Sequence, residues 1–402
     1  MVNYPENWKT MQLKDIADYR NGKAHEKNVV EHGKYTIVNA KFVSTEGKVK
    51  KYCDKQIEPL FKDEIAMVLS DIPNGRALAK TFLINKNNKY SLNQRIAGIK
   101  PHKNINAYFL AKLMNRNEYF LSFNDGINQT NLSVKNVKEF SAKYPCLKEQ
   151  QAIAETLSTF DKYIENLIKL IEKKKAIRDG VLEELISGKT RVGEFKEEWQ
   201  QKTLKELCYL ITKQTGFDYS DKIKESLVTT KRENTVPFIQ NKDFNMFDIN
   251  YNTDFYIPKV IADNYPKIIL KECCLLISIS GRIGNVAVFN NEQMAFAGGA
   301  VGIAKLYDKS LADWCMLYLT SVEGQKQIFK NEKVGAQHNL TVEDVRKFRI
   351  LIPNKEERDS IVAVIKSMDE EIISLEKKLD KMKQISEGAM NELLTGQVRL
   401  SV

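Results

Sequence analysis

Hydrophobic residues recur every three or four positions along two long, otherwise charged stretches of the chain. The first series runs from Ile153 to Leu185 and the second from Ile361 to Leu393, both in alternating steps of four and three. This heptad pattern predicts two long helices, each with one apolar seam. Because each position of the second series lies 208 residues after its counterpart in the first, we expect the two seams to pack together. The seam residues expected to form this spacer are Ile153, Leu157, Ile164, Ile171, Ile361, Ile365, Ile372 and Leu379.

The expected pairing of the two helices is antiparallel. The first helix would lead the chain away from one globular segment, and the second would return it after another. Between Ile153 and Leu185 a helix rises about 50 Å, so the pair would be a rigid spacer. Polar residues interrupt the seams at Lys174, Arg178 and Ser386, and the periodicity offers no reason for them.

Glycines mark the expected ends of both helices. Gly188 and Gly396 each follow an apolar pair, and glycine readily takes the left-handed conformation that ends a helix. The segment 187–190 also resembles the end of a phosphate-binding loop, but that motif needs glycine where this chain has Glu183. We therefore interpret the segment as a helix end.

Motifs outside the helices also occur twice. Trp8 and Leu13 recur with equal spacing as Trp199 and Leu204, an offset of 191, whereas the later Gln-x-Asn-Leu motif recurs with an offset of 208. The second copy is thus longer by 17 residues, which we place between 213 and 235 and in the segment before Ser278. Loop growth on a retained framework is typical of related scaffolds with different binding surfaces, although a duplicated domain that drifted neutrally would show the same pattern.

Both globular segments mix predicted strands, such as 65–69 and 274–279, with short predicted helices, such as 106–114 and 312–320. The predicted fold class is α+β, with two globular domains separated by two long antiparallel coiled-coil helices in a pseudo-twofold internal repeat. We place the first globular domain at 1–144, the first helical region at 145–190, the second globular domain at 191–352 and the second helical region at 353–402.

The charge is strongly basic and unevenly distributed. The net charge is +10, and residues 1–144 hold 24 Lys and Arg against 14 Asp and Glu. This excess favours a polyanionic partner such as nucleic acid, attracted mainly by the first globular domain. Neither a signal peptide nor a membrane-spanning apolar stretch is recognisable, so we expect a cytoplasmic protein.

We find no motif for catalysis or metal binding in the sequence. The nine prolines include no adjacent pair, which argues against the two-proline loop with which methyltransferases clamp a flipped base. The four histidines form no metal motif, and we expect His25 and His32 to be exposed loop residues. The six cysteines include no CxxC pair, which indicates buried thiols rather than disulfides or zinc ligands.

The order of globular segment, proline and heptad helix, present twice, resembles the specificity subunits of type I restriction-modification systems along nearly the whole chain. A motif from Pro145 through Glu149-Gln150 to Ile153 is similar to a conserved region of that family. Pro353 begins the second copy, in which Arg358 replaces the usual glutamine.

The resemblance implies a non-catalytic subunit of a DNA adenine methyltransferase or restriction complex. Each globular domain would be a target-recognition domain that reads one half of a bipartite double-stranded DNA target, while the helices set the gap. The partners implied are two methyltransferase subunits and motor-nuclease restriction subunits. The chain itself would bind no cofactor, and S-adenosylmethionine would be bound by the methyltransferase. The alternative is a coiled-coil scaffold that binds only proteins and shows no sequence preference on DNA.

Candidate DNA contacts are polar residues that follow predicted strands, because Arg, Lys, Asn and Gln present hydrogen-bonding groups to bases and phosphates. Lys41 corresponds to Lys242, and Ser70 leading to Arg76 corresponds to Ser278 leading to Arg282. Such loop residues could equally be solvated without a role. The candidates are Lys41, Arg76, Gln94, Arg95, Gln129, Asn131, Lys242, Arg282, Gln337 and Asn339.

Two groups of candidates differ in what they indicate. Gln94 and Arg95 stand opposite Gly298-Gly299 in the second copy, so a contact there would be specific to the first half-site. The repeated Gln and Asn motif suggests a role shared by both copies, such as a phosphate contact or turn capping. Residues that read bases are expected where the copies differ, including 222–232.

Overall fold

The computed structural model describes residues 5–73, 75–330 and 339–400. These residues form two compact units, one made of 1–168 with 378–402 and the other of 169–377. The division falls within both long helices, so each unit contains a globular domain and part of each helix. The four segment boundaries expected from the sequence are not tested by this division and stay a prediction.

The first unit is built from short strands and short helices followed by one long helix. Its strands are β1 (Lys9–Gln12), β2 (Ala17–Asn21), β3 (Tyr35–Val38), β4 (Tyr52–Cys53), β5 (Pro59–Leu60), β6 (Ile65–Val68), β7 (Ser70–Asp71), β8 (Thr81–Leu83), β9 (Tyr90–Leu92), β10 (Ile96–Pro101), β11 (Thr130–Asn131) and β12 (Ser141–Tyr144). Its helices are α1 (Leu13–Ile16), α2 (Ala40–Ser44), α3 (Ala107–Met114), α4 (Glu118–Leu121), α5 (Val134–Lys138) and α6 (Leu147–Ile186), with a 3₁₀ turn at Glu26–Asn28.

Two four-stranded sheets organise this unit. One is antiparallel with the order β2-β10-β6-β8, and the other has the order β4-β3-β9-β5 with β3 and β9 parallel. Strand β6 is buried along its whole length, as expected for an apolar strand covered on both faces. The pairs β1-β12 and β7-β11 complete the unit.

The second unit contains a longer set of elements. Its strands are β13 (Gln200–Thr203), β14 (Cys208–Lys213), β15 (Thr235–Ile239), β16 (Phe244–Asn245), β17 (Asp248–Ile249), β18 (Tyr256–Pro258), β19 (Ile269–Leu270), β20 (Cys274–Ser278), β21 (Val286–Phe289), β22 (Ala295–Ala297), β23 (Val301–Leu306) and β24 (Arg349–Ile352). Its helices are α7 (Leu204–Leu207), α8 (Gly216–Asp218), α9 (Lys224–Ser226), α10 (Lys259–Ala262), α11 (Ala312–Thr320), α12 (Val322–Lys330), α13 (Val342–Arg346) and α14 (Lys355–Thr395), with a π turn at Tyr219–Ile223 and 3₁₀ turns at Asn241–Asp243 and Lys309–Leu311.

The second unit repeats the strand order of the first. Its sheets are β14-β23-β20-β21 and β18-β15-β22-β19, with β15 and β22 parallel as β3 and β9 are. The additional residues lie where the motif offsets placed them. Between β14 and β15 there are 21 residues against 13 between β2 and β3, and the hairpin β16-β17 is added before β20. Mixed sheets and helices confirm the α+β class.

The long helices α6 and α14 contain 40 and 41 residues and are unbroken. All ten seam positions of each helix are buried or half-buried. In the second unit Lys174 Nζ lies 2.7 Å from Glu371, and the Arg178 guanidinium bonds both carboxylate oxygens of Asp369 at 2.9 and 3.0 Å. Numbers rise along α6 as they fall along α14, so these parts of the helices run antiparallel. The polar interruptions at 174 and 178 are therefore explained by carboxylates on the facing helix.

Each long helix ends close to a glycine, and an arginine that follows the glycine pairs with a buried glutamate. Gly188 and Gly396 have φ angles of 67° and 70°, so the helix-end interpretation of 187–190 is correct. After the first helix, Arg191 pairs with Glu357, whose side chain is fully buried. After the second, Arg399 Nη2 lies 2.8 Å from Glu149, which is 2% exposed. The glutamate of the proline motif thus has the same structural role in both copies.

Candidate nucleic-acid interface

The first unit has a surface depression at the carboxyl ends of the parallel strands β3 and β9. Parallel strands end at the same edge of a sheet, so loops distant in sequence meet there. Lys41 follows β3, and Gln94 and Arg95 follow β9, and all three line this cavity of about 310 Å³. The structure therefore brings Lys41 together with Gln94 and Arg95, which are more than fifty positions later in the sequence.

This depression is basic. Lys41, Lys51 and Arg95 are exposed, and the residues that line the depression include no carboxylate. Three cations with no carboxylate among the lining residues create the positive potential that attracts a polyanion. Lys51 was missed from the sequence because it reaches the site only through β4, where its carbonyl accepts a hydrogen bond from Ile37 N at 2.8 Å. The lysine-rich run 48–51 was the sole signal.

Two further residues of the depression support its walls. Asn39 caps α2 by accepting a hydrogen bond from Phe42 N at 2.8 Å, which fixes the turn that carries Lys41. His25 was expected to be exposed, and this was wrong because it is fully buried. Its Nδ1 donates to the Lys23 carbonyl at 2.6 Å, and its Nε2 accepts from the Ser91 hydroxyl at 2.7 Å in the neutral ring. His32 is exposed as expected.

The second unit has a depression at the corresponding place, beyond β15 and β22. Its volume is about 340 Å³, and it is lined by Gln240, Asn241, Lys242, Ser280, Gly281, Gly298, Gly299 and Ala300. Lys242 corresponds to Lys41, as the sequence repeat indicated, but it is paired with Asp254. The second depression consequently has less free positive charge than the first.

Arg76 and Arg282 are both exposed but do not line these depressions. The loop of Arg76 is held by the Asp71 carboxylate, which accepts from the backbone N of Ala77 at 2.6 Å. In the second unit the Ser278 hydroxyl donates to the carbonyl of Arg282. Both arginines stay candidates for DNA contact at the rim of their units.

The sequence matched Ser70 to Ser278, and this was wrong by two residues, since Ser280 is the structural counterpart of Ser70. Asn131 pairs with Ser70, and the equivalent Asn339 bridges Ser280. Backbone bonds agree, since Leu132 N donates to the Leu69 carbonyl and Leu340 N donates to the Ile279 carbonyl, both at 2.8 Å. The error arose because the apolar pattern of a strand does not indicate at which residue the strand leaves the sheet. The ends of two related strands can therefore be aligned with a shift.

The repeated Gln and Asn motif joins a strand to a helix cap. Gln129 Nε2 donates to Ser70 Oγ at 2.7 Å, while the Asn131 and Asn339 side chains are exposed. Immediately after the motif, Ser133 and Thr341 cap α5 and α13 with reciprocal capping boxes. Gln337 lies outside the described residues.

Within the described residues, neither a cluster that could hold a metal ion nor a helix able to span a membrane is found.

Comparison with known proteins places the chain in one family. The family model of the type I restriction modification DNA specificity domain matches residues 5–175 and 196–384. The type I restriction enzyme MjaVIII specificity subunit of Methanocaldococcus jannaschii is 24% identical over 99% of this chain and 95% of the relative.

Solved structures show the same fold. The S subunit of the type I restriction-modification system of M. genitalium aligns with a TM-score of 0.59 at 17% identity, covering 98% of this chain and 97% of that one. A chain from a study of complex assembly and conformational transition in a type I system aligns with a TM-score of 0.56 at 13% identity, covering 98% and 100%. With the family model matching most of its length in two copies, the chain belongs to the specificity subunits of type I restriction-modification systems, which recognise target DNA.

Proposed function

We propose that this chain recognises a bipartite DNA target, with each unit reading one half through its depression. The observation that carries the proposal is the repeated site. The same scaffold presents a depression at the same sheet edge in both units, and the lining side chains differ between them. A shared scaffold with different contact groups is what two different half-sites require.

The long helices set the length of the gap between the half-sites and pair as an antiparallel coiled coil. Support comes from their unbroken length and from the ion pairs that join them within the second unit. The pseudo-twofold arrangement of the repeat belongs to the same proposal. A helix of 40 residues rises about 60 Å, which is long enough to span more than one turn of duplex DNA.

The helices also dock two methyltransferase subunits. Leu170 and Ile177 support this role, because they lie seven residues apart on α6 and are 40% and 45% exposed. Adenine methylation and binding of S-adenosylmethionine are assigned to the methyltransferase subunits, and cleavage to motor-nuclease subunits. This chain directs these partners and has no catalytic role.

Methylome sequencing of cells with and without this gene tests the proposal. The expected result is a split adenine motif that is methylated in the parent and unmethylated in the deletion strain, restored by the gene on a plasmid. An unchanged methylome in an expressing strain would refute the proposal. A scaffold that binds only proteins would be indicated by binding to methyltransferase subunits without any sequence preference on DNA.

A further inference from the structure

Gln214, which follows β14, lies beside the depression of the second unit and is 2% exposed. Its structural counterpart in the first unit is Gly22. Lys213 pairs with Gly302 on β23 as Asn21 pairs with Ala97 on β10, so the next residue of each strand occupies the same place. The first unit therefore has no side chain where the second has a carboxamide.

The two units have their glycines on different segments around this position. The first unit has glycine after β2, and the second has glycines after β22. In the first unit a Cβ atom on Gly22 would lie 2.0 Å from the carbonyl oxygen of Asn93, so the side chains come from the segment after β9. In the second unit that segment is Gly298-Gly299, and a Cβ atom on Gly299 would lie 3.4 Å from Gln214 Oε1. Each unit thus has glycine on one of these two segments and polar side chains on the other.

Three amide atoms beside the second depression have no hydrogen-bond partner among the described residues. Within the part of the chain that the structure describes, both amide atoms of Gln214 and the Oδ1 atom of Asn241 are buried and unpartnered. Asn241 is held in place because its Nδ2 donates to the Ser280 carbonyl at 2.8 Å. Buried polar atoms are ordinarily satisfied in folded proteins, so an unsatisfied group that a protein retains calls for a functional explanation.

We propose that Gln214, together with Asn241, is a specificity-determining residue of the second unit and contacts an adenine base. This inference rests on the proposed function. A carboxamide offers one donor and one acceptor side by side, which matches the N7 acceptor and N6 amino donor of adenine in the major groove. To make the contact, the Gln214 side chain turns toward the depression past Gly298 and Gly299, which present no side chain in its way.

The test selects binding sites from randomised duplex DNA with the full chain in complex with its methyltransferase subunits. Wild type is expected to select two half-sites. Gln214→Leu keeps the size of the side chain but removes the amide. This variant is expected to show an about tenfold lower preference for adenine over the other bases at one position of one half-site. The other half-site stays unchanged.

Gln325→Leu is the matched control in the same unit. The Gln325 amide donates to the carbonyls of Gly284 and Leu319 at 2.8 and 2.7 Å, so its replacement lowers the thermal unfolding temperature without changing the selected sequence. Gln214→Leu removes no hydrogen bond between described residues, so the unfolding temperature is expected to stay unchanged or to rise. This contrast separates a base contact from a structural role.

A selected sequence that is the same for Gln214→Leu and wild type overturns the inference and leaves the proposed function intact. If wild type itself selects no bipartite sequence, the result refutes the proposed function, on which the inference rests. If Gln214→Leu does not fold, the selection experiment with Gln214→Glu tests the inference instead. A carboxylate only accepts, so the preferred base is expected to change from adenine to cytosine, whose amino group donates, and an unchanged adenine preference overturns the inference.

Discussion

At the scale of single residues, the two depressions differ most in free charge. Lys41, Lys51 and Arg95 have no carboxylate among the lining residues of the first depression, whereas Lys242 in the second is paired with Asp254. Each phosphate contact made by a lysine or arginine contributes about 0.9 to the slope of log affinity against log salt concentration. The first depression is therefore expected to carry most of the salt dependence of DNA binding.

Replacing Lys51 or Lys41 with alanine is expected to weaken binding on all sequences and to lower the salt slope by about 1 each. Lys242→Ala changes it less because Asp254 already neutralises that charge. Fluorescence anisotropy on a labelled duplex at several salt concentrations measures the slopes. Lys86→Ala is the control, since Lys86 precedes β9 and lies at the other end of that strand. Equal effects of Lys86 and Lys51 would argue against a local basic site.

Glu272 gives the second unit an acid-sensitive contribution to stability. Hydrogen bonds from Tyr209 at 2.6 Å and from Lys309 at 3.0 Å, together with nearby Lys305, lower the pKa of Glu272 from 4.5 to about 2. A carboxyl whose pKa is lowered by folding stabilises the fold above its ordinary pKa, and this contribution is lost as pH falls toward the lowered value.

Wild type is thus expected to be more stable than Glu272→Gln at pH 7, with a difference that shrinks between about pH 5 and pH 2. Denaturant unfolding at a series of pH values measures the difference. Glu225→Gln, which removes an exposed carboxylate of the same unit, should show no such trend. A constant difference across the range would contradict the assignment to Glu272.

Side-chain contacts between distant segments were the part of the site that could not be predicted from the sequence. Lys41, Gln94 and Arg95 were found because polar residues after strands are easily recognised. The pairing of Lys242 with Asp254, the arrival of Lys51 through β4 and the burial of His25 depend on loop paths. No local pattern specifies a loop path, because loops satisfy their backbone groups in many ways.

At the scale of elements, the long helices were the most predictable feature. Their period of hydrophobic positions predicts which side is buried, and the glycines predict where they end. The strand order was not predictable, since short apolar runs do not reveal their partners. The repeat itself became visible in sequence through its motifs, but the parallel pairs β3-β9 and β15-β22 appear only in the structure.

The ion pair of Arg178 and Asp369 is expected to stabilise the contact between α6 and α14 in the second unit. Arg178 is 6% exposed, and Asp369→Leu would leave its buried guanidinium with only the exposed Asp179 carboxylate at 3.3 Å, at a cost of about 3 kcal/mol in the free energy of unfolding. The double variant Arg178→Leu with Asp369→Leu should recover much of this loss, because it removes both charges from the seam. Denaturant unfolding of wild type and the two variants checks the order of stabilities.

Lys175 and Glu376 provide the matched control on the same helices. Their side chains are 53% and 44% exposed and lie 2.6 Å apart, so Glu376→Leu should cost less than about 1 kcal/mol. If both carboxylate replacements have the same small effect, the buried pair does not stabilise the contact between the helices.

At the scale of the whole molecule, the proposed spacer role makes helix length a determinant of the DNA target. Removal of one heptad shortens a helix by about 10 Å, equivalent to about three base pairs. Residues 166–172 and 374–380 are suitable deletions, because both surround the division between the compact units and lie 208 positions apart in the repeat. Both deletions together keep the seven-residue register of the seams.

The double deletion is therefore expected to leave both half-sites unchanged and to shorten the unread gap between them by about three base pairs. Sequencing of DNA selected by the complex measures the gap directly. Deleting three residues from each helix instead rotates the remaining seam by about 60°, so this control should lose the complex altogether. An unchanged gap in a folded double-deletion variant would show that the helices do not measure the target, whatever the two units read.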